Sequence, residues 1–253
     1  MIPKIIHYCW LSNDPYPEDI ARCLESWKQK LPDYEFVKWD FIRLDKSKFK
    51  WVSDAYDNKK YAFAADYIRC YSIYNYGGIY LDTDVEVLKS FNDLLSHHYF
   101  MGYEINKTSP EAAVIGAEKG HPFFKALMEY YKDRSFIRED GTLDIRDLPS
   151  IFNEIIDNGF NKVAINTPSE IDDNDEKKIC VLPYTYFSPK SSLNGKIYKT
   201  EDTYAIHHFS NSWFPKYYIL ERKIWHYFGI RNLKIGLRIV NLFTKGTIRA
   251  IVN

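Results

Sequence analysis

The sequence predicts an α/β fold in which a mixed, mainly parallel central sheet carries helices on both sides. One observation is the order of patterns near the N-terminus: an apolar run at 2–10, an amphipathic run at 18–30 and an alternating run at 34–39. Strand, helix and strand in this order favour a parallel βαβ unit. The other is composition, since 253 residues, 45% hydrophobic and 27% charged, are typical of one large globular domain.

The next elements are a long helix and a short strand. A helix is predicted over 54–76, begun by Ser53 or Asp54 as N-cap and ended by Gly77-Gly78. An apolar strand at 79–81 then runs into an acidic turn and a second extended segment. Further elements follow in order: strands and loops over 97–117, helices over 121–133 and 144–158, a surface loop over 168–178, a strand from 181, and a final strand within 203–214.

Residues 216–253 differ from the rest of the chain. They contain eight Lys or Arg and one acid, a net +7, on an apolar background. A basic amphipathic segment is typical of an element that lies on a membrane surface. The alternative is a pair of helices that close the domain, with solvated charges. We therefore predict a main domain at 1–215 and a basic amphipathic helical segment at 216–253.

Net charge, the N-terminal segment and the cysteines limit the functional classes to which the protein can belong. The chain has 34 basic and 34 acidic residues, so its net charge of zero argues against nucleic acid as a partner. The N-terminal apolar run is too short for a signal peptide or a membrane span. Four widely spaced cysteines are typical of buried free thiols in a reducing compartment. We expect a cytoplasmic protein, held peripherally on the inner face of the cell membrane.

The acidic turn Asp82-Thr83-Asp84 is the strongest candidate for chemistry. Residues i and i+2 of a strand point the same way, so the two carboxylates converge at the strand end. Ligands of open α/β sheets bind there. Converging carboxylates repel each other unless a cation lies between them, and hard oxygen ligands favour Mg²⁺ or Mn²⁺. Alone, so short a motif also arises by chance.

Other candidates surround this turn in the sequence. Asp66 and Arg69 share a helix face and form either a simple ion pair or a ligand contact. Of His207 and His208, which point to opposite sides of a strand, one would suit a metal site, although a histidine pair is often structural. Trp10 could stack on a nucleobase or belong to the core.

Three segments together resemble glycosyltransferase family 32, the DXD sugar-binding group. They are IPKIIHYCWL, YAFAADYIRCYSIYNYGGIYLDTDVEVL and AIHHFSNSW, which extend over 2–214. That family includes bacterial capsule and lipopolysaccharide sugar transferases and yeast mannosyltransferases, and is distantly similar to clostridial toxin glucosyltransferase domains. The resemblance implies a Rossmann-like nucleotide-sugar transferase fold of the A type, Mn²⁺ (or Mg²⁺), and transfer with retention of anomeric configuration.

The resemblance also implies residue roles by position. Asp66, Arg69, Asp82 and Asp84 would be catalytic. The donor would contact Trp10, Asp66, Arg69, Gly78, Tyr80, Asp82, Ser212 and Trp213. The metal would be held by Asp82, Asp84 and either His207 or His208. Asn211 stands where relatives often have Gly, which leaves the role of Ser212 the least certain. Glu104 is either an acceptor contact or a surface acid.

The implied partners are a nucleotide-sugar donor, with UDP favoured, and a glycan acceptor for which a lipid carrier would suit the basic tail. Cell-surface polysaccharide synthesis is the implied role. A non-catalytic, decayed sugar-binding protein at the membrane surface is the main alternative. A hydrolase that uses Asp82 and Asp84 fits less well, because glycosidase carboxylates lie about 5–9.5 Å apart on separate elements. A toxin is disfavoured because the chain shows no delivery segment.

Overall fold

A computed structural model describes residues 1–12, 14–105, 108–192 and 194–210. The strands are β1 Ile5–Cys9, β2 Glu35–Trp39, β3 Gly78–Leu81, β4 Val85–Val87, β5 Tyr99–Tyr103, β6 Pro110–Ala117, β7 Asn161–Ala164, β8 Lys178–Val181 and β9 Ala205–His207. The helices are α1 Glu18–Lys30, α2 Lys50–Asp57, α3 Tyr61–Tyr76, α4 Pro122–Tyr131 and α5 Leu148–Gly159.

The central sheet has five strands in the order β2-β1-β3-β6-β5. β1 runs parallel to β2 and β3, whereas β6 runs antiparallel to both β3 and β5. Four of the five strands therefore point the same way, with β6 reversed between them. Helices flank this sheet, and the predicted mixed, mainly parallel α/β fold is confirmed. Every residue of β6 is buried, as expected for a strand with neighbours on both sides.

The first helix fixes a segment close to the acidic turn. α1 buries Ile20, Cys23 and Trp27. The Trp27 indole N–H donates to the carbonyl of Val85 at 2.7 Å, and the Val87 amide donates to the Ser26 hydroxyl at 2.9 Å. These two bonds attach β4 to α1. β4 also pairs antiparallel with β9, and Val85 is opposite His207.

The predicted long helix is wrong at its start. Two helices occupy the segment, because α2 ends at Asp57 and α3 begins at Tyr61. Lys59 between them has φ +58, a left-handed conformation that interrupts a helix. Ser53 and Asp54 lie inside α2 and are not N-caps. The end is as predicted: α3 ends at Gly77, whose φ is +67.

Later helices begin within a few residues of their predicted starts. α5 starts at Leu148 because the Asp147 side chain accepts a hydrogen bond from the Ser150 amide. α4 starts after His121, which caps it in the same way. The predicted surface loop at 168–178 holds only a short 3₁₀ turn, Pro168–Glu170, before β8. β7 and β8 form a separate parallel pair.

The described residues belong almost entirely to one compact unit, 1–192 with 196–209. The predicted segment 216–253 lies outside the described residues, so the division at 215 stays a prediction. Within the described part of the chain, no helix combines the length and apolar character that crossing a membrane requires. All four cysteines are free thiols, three buried and Cys9 half-buried.

Candidate functional site

The acidic turn is anchored by backbone hydrogen bonds at the end of β3. The Asp82 amide donates to the carbonyl of Ala113 on β6 at 2.9 Å. The Val85 amide then donates to the Asp82 carbonyl at 3.0 Å, and the His208 amide to the Asp84 carbonyl at 3.0 Å. The turn is therefore bonded to β6, closed on itself and bonded to the residue that follows β9, which fixes where its two carboxylates can point.

Asp82, Asp84 and His207 converge. One ligand atom from each of the three lies within 4.8 Å of the others. His207 Nε2 is 3.5 Å from Asp84 Oδ1. Across the described segments, this is the one group of three or more His, Cys, Asp or Glu residues close enough to hold a metal ion. The sequence prediction had named all three residues.

The donor set fits a divalent cation. Two carboxylate oxygens and one imidazole nitrogen suit Mn²⁺, and carboxylates alone suit Mg²⁺. Local charge favours a cation as well, because two further acids lie beside the group, Asp66 and Glu111. Burial raises the pKa of Asp82, and Asp84 raises it further against the opposing effect of Arg69. A cation at this point would favour the ionised carboxylates.

Arg69 lies beneath the acidic turn. It is 6% exposed, and its Nη2 donates to Asp82 Oδ1 at 2.8 Å while its Nη1 donates to the Ala112 carbonyl at 2.6 Å. Its guanidinium lies 4.6 Å from the Tyr80 ring centroid, on the ring face. The predicted Asp66–Arg69 pair is present, with Nη2 3.4 Å from Oδ1. Burial raises the pKa of Asp66 to about 7, although Arg69 acts to lower it.

Glu111 is a site residue that the sequence analysis missed. Three successive residues of β6 contact the site: Ala113 through its carbonyl, Ala112 through its carbonyl, and Glu111 through its side chain, which contacts His207 Nδ1. Glu111 is 4% exposed. The available signal was a lone acid in the strand PEAAVIGA, whose other residues are apolar or glycine.

The two histidines have different surroundings. His207 contacts Asp84 through Nε2 and Glu111 through Nδ1. Burial acts to lower its pKa, but the two carboxylates raise it well above its usual value. His208 Nε2 instead lies 2.8 Å from Glu86 Oε2, and its Nδ1 lies 3.3 Å from Lys190 Nζ. Of the two predicted alternatives, the structure brings His207 and not His208 to the aspartates, since neighbouring strand residues alternate in direction.

Gly78 and Tyr80, two of the predicted donor contacts, are both buried in β3. Gly78 has φ +111, and a Cβ there would lie 2.6 Å from the Ile5 carbonyl oxygen. Its glycine is therefore needed for packing against β1. Tyr80 is 1% exposed and carries the Arg69 guanidinium on its ring. Both residues support the turn from within the core, and their contact with a donor stays a prediction.

The other predicted donor and acceptor contacts also stay predictions. Trp10 is half-buried at the end of β1, with its indole N–H on the Asp14 carbonyl at 2.9 Å and its ring 4.8 Å from that of Tyr16. Its contact with a base stays a prediction. Glu104 accepts a hydrogen bond from the Ser192 hydroxyl at 3.1 Å. Asn211, Ser212 and Trp213 lie outside the described residues.

The part of the chain that contains the acidic turn is similar to known proteins. Residues 17–101 match the family described as "Glycosyltransferase sugar-binding region containing DXD motif". The matched segment contains Asp66, Arg69, Asp82 and Asp84, and the family resemblance predicted from the sequence is confirmed. Glu111 and His207 lie beyond the match.

Three relatives illustrate the similarity. Inositol phosphoceramide mannosyltransferase 3 of Schizosaccharomyces pombe is 37% identical, over 48% of this chain and 35% of its own. Mannosyl phosphorylinositol ceramide synthase of Saccharomyces cerevisiae is 33% identical, over 52% of this chain and 36% of its own. An uncharacterized glycosyltransferase of Acanthamoeba polyphaga mimivirus is 27% identical over 85% of both chains. The matches therefore span about a third of the length of the two fungal relatives.

Among solved structures, the chain is similar to one titled PaToxG Glycosyltransferase. The TM-score is 0.45 at 17% identity, over 61% of this chain and 69% of that one.

Proposed function

We propose that this chain, whose residues 17–101 match the glycosyltransferases with a DXD sugar-binding region, transfers a sugar from a nucleoside-diphosphate donor to a glycan. The observation that carries this proposal is the convergence of Asp82, Asp84 and His207 within 4.8 Å at the end of β3. Ligands of open α/β sheets bind at this end of the strands. Retention of configuration, implied by the family resemblance, stays a prediction.

In the proposed reaction Asp82, Asp84 and His207 hold a divalent cation. Such a cation, when bound, offsets the negative charge that develops on the departing diphosphate. Arg69 orients Asp82 through its hydrogen bond and adds a fixed positive charge under the turn. Burial raises the pKa of Asp66 to about 7, so both of its protonation states are populated near neutral pH. Asp66 lies beside Arg69 and is the proposed contact for sugar hydroxyls.

A hydrolase fits the geometry less well. The ligand atoms of Asp82 and Asp84 lie within 4.8 Å of each other on a single turn. Glycosidase carboxylates flank the scissile bond at about 5–9.5 Å. Two carboxylates that converge from one turn, on the same side of any ligand, therefore support a cation site over an acid–base pair.

Two donor classes compete in this proposal. The family resemblance of the sequence favours UDP-sugars, whereas the names of the fungal relatives refer to mannosyl transfer. We therefore keep GDP-mannose as the second candidate donor. The mimivirus relative, which is similar over most of both chains, has no stated donor. Whether the protein binds UDP or GDP distinguishes between these two donor classes.

For the acceptor we propose a lipid-linked glycan at the cytoplasmic face of a membrane. The net +7 of residues 216–253 supports attraction to anionic lipids. The fungal relatives' names refer to phosphorylinositol ceramide, which is a lipid. A role in cell-surface polysaccharide synthesis belongs to the same proposal and rests on the sequence resemblance.

The testing experiment is thermal unfolding with UDP or GDP, each with and without Mn²⁺. A nucleotide at 100 times its dissociation constant adds about 2.7 kcal/mol, a Tm rise of roughly 5–10 °C in a domain of this size. We expect the rise to need Mn²⁺ and to disappear in Asp84→Asn. The matched control is Asp33→Asn, a surface aspartate paired with Lys4, which should respond like wild type.

The nucleotide that gives the shift identifies the donor class. A UDP shift supports UDP-sugars and a GDP shift supports mannosyl or fucosyl donors. Folded protein that responds to neither nucleotide would overturn the transferase proposal in favour of a decayed, non-catalytic member of the family.

A further inference from the structure

Glu111 is a carboxylate in an unfavourable place. It lies on β6, where every residue is buried, and is itself 4% exposed. Its Oε2 is buried and makes no hydrogen bond to any of the described residues. A buried carboxylate costs several kcal/mol unless a charged partner offsets it. The only hydrogen-bond partner that the described part of the chain gives this side chain is His207.

His207 is held from two sides. Glu111 Oε1 contacts Nδ1, and the Phe209 ring lies 4.0 Å from the imidazole centroid at an interplanar angle of 36°. The opposite ring nitrogen, Nε2, lies 3.5 Å from Asp84 Oδ1 and belongs to the cation group. A ring fixed in this way can turn neither nitrogen away from its partner.

We infer that Glu111 is a positioning residue for His207: it holds the Nδ1 proton and thereby leaves the Nε2 lone pair directed at the cation. Metal-bound histidines commonly donate their second ring N–H to a carboxylate, which fixes the tautomer and raises the basicity of the ligand. Removing such partners typically weakens metal affinity about 10–100-fold. This inference rests on the cation site of the proposed function.

The competing interpretation is purely structural. A protonated His207 could bridge Glu111 and Asp84 as a buried ion triplet that only stabilises the fold. In that case substitution of Glu111 would lower the stability of the protein and leave Mn²⁺ affinity unchanged. The two interpretations therefore differ in a quantity that can be measured without turnover.

The next residue along the chain provides a matched control. His208 contacts Glu86 through Nε2 at 2.8 Å, so the chain carries a second histidine–carboxylate pair one residue away. The Glu86 side chain is 40% exposed, and neither member of this pair belongs to the cation group. Substitution of Glu86 should remove a histidine–carboxylate contact beside the same strand, β9, but leave the cation site intact.

The experiment is a Mn²⁺ titration of the full chain, followed by the electron paramagnetic resonance signal of free Mn²⁺. We expect Glu111→Ala to weaken binding by about 10–100-fold and Glu86→Ala to change it by less than about twofold. Pulsed measurements on the bound ion should show imidazole nitrogen coupling in wild type and Glu86→Ala, and reduced coupling in Glu111→Ala.

Glu111→Gln covers the case in which Glu111→Ala does not fold. Its amide oxygen still accepts the Nδ1 proton but carries no charge, so we expect an intermediate loss of at least about threefold. Wild-type affinity in Glu111→Gln, or an equal loss in Glu86→Ala, overturns the inference and leaves the cation site standing. If wild type itself binds no Mn²⁺, the cation site of the proposed function is wrong, and this inference is wrong with it.

Discussion

The molecule contains two clusters of acids and arginines with opposite balances of charge. The edge cluster consists of Asp66, Arg69, Asp82, Asp84, Glu111 and His207. The arginine cluster consists of Asp144 with Arg134, Arg138 and Arg146. In the edge cluster four carboxylates share one guanidinium and one imidazole. In the arginine cluster three guanidiniums surround one carboxylate, at 3.0 Å from Arg138, 3.1 Å from Arg146 and 3.9 Å from Arg134.

The pKa shifts of one aspartate from each cluster show the difference. Burial acts to raise the pKa of Asp144, but hydrogen bonds from Arg146 and Arg138 bring it below its usual value. Burial raises the pKa of Asp66 to about 7, because the nearby Arg69 does not offset it. The carboxylate of the arginine cluster is thus fully compensated and ties the 134–146 segment together. The edge cluster lacks positive charge, which is what a cation site requires before its ion binds.

Removal of Arg69 should have the largest effect. Arg69→Met leaves Asp66 and Asp82 without their guanidinium in a buried setting, and breaking a buried pair in this way costs about 3–5 kcal/mol. We expect the Tm to fall on the order of 10 °C at pH 8, where both carboxylates tend to ionise. Urea unfolding in the absence of divalent ions measures the loss.

Arg69→Lys is the control for charge. The ammonium preserves the positive charge but cannot donate to Asp82 and the Ala112 carbonyl in the same fork geometry. We expect it to lose less stability than Arg69→Met. A loss below about 1 kcal/mol in Arg69→Met would contradict the view that the edge cluster depends on this guanidinium.

Substitution of Asp144 should have the next largest effect. Asp144→Asn leaves three guanidiniums without their shared carboxylate, and we expect a loss of about 2–4 kcal/mol, because the arginines are partly solvated. The control is Glu154→Gln, whose 2.8 Å pair with Arg146 is exposed and should contribute at most about 1 kcal/mol. Nucleotide and Mn²⁺ binding should survive both substitutions. Loss of Mn²⁺ binding in folded Asp144→Asn would show that the two clusters are coupled.

Local patterns were enough to find four of the six residues of the edge cluster. A Gly-Gly stop, an apolar strand and an acid pair at its end are contiguous in the sequence, so the position of Asp82 and Asp84 at the sheet edge follows from strand direction. The i, i+3 spacing likewise put Asp66 and Arg69 on one helix face. The alternation of His207 and His208 limited the third ligand to two residues but could not choose between them.

Glu111 and the choice of His207 over His208 depend on contacts between distant segments. Glu111 meets His207 across 96 positions, because β6 runs antiparallel beside β3 while β9 pairs with β4. Nothing local encodes that arrangement. The sequence also did not show that Gly78 and Tyr80 are buried, because they belong to the same GGIYLDTD segment as the two site aspartates. The helix interruption at Lys59 was hidden because its polar neighbours are ordinary residues for an exposed helix face.

The smallest predicted effect concerns Asp66 and pH. Its folded-state pKa of about 7 lies above the value of 3.8 that is usual for an aspartate, so between these values the native protein holds more protons than the unfolded chain. Stability contributed by neutral Asp66 is therefore fully present below about pH 4 and is lost as pH rises through about 7. Asp66→Asn mimics the neutral form, so its stability relative to wild type should rise between pH 5 and pH 8, by about 1–3 kcal/mol. Urea unfolding of both proteins at the two pH values, without divalent ions, measures this difference. A constant difference across that range would mean that Arg69 keeps Asp66 ionised, and that the edge cluster is compensated as fully as the arginine cluster.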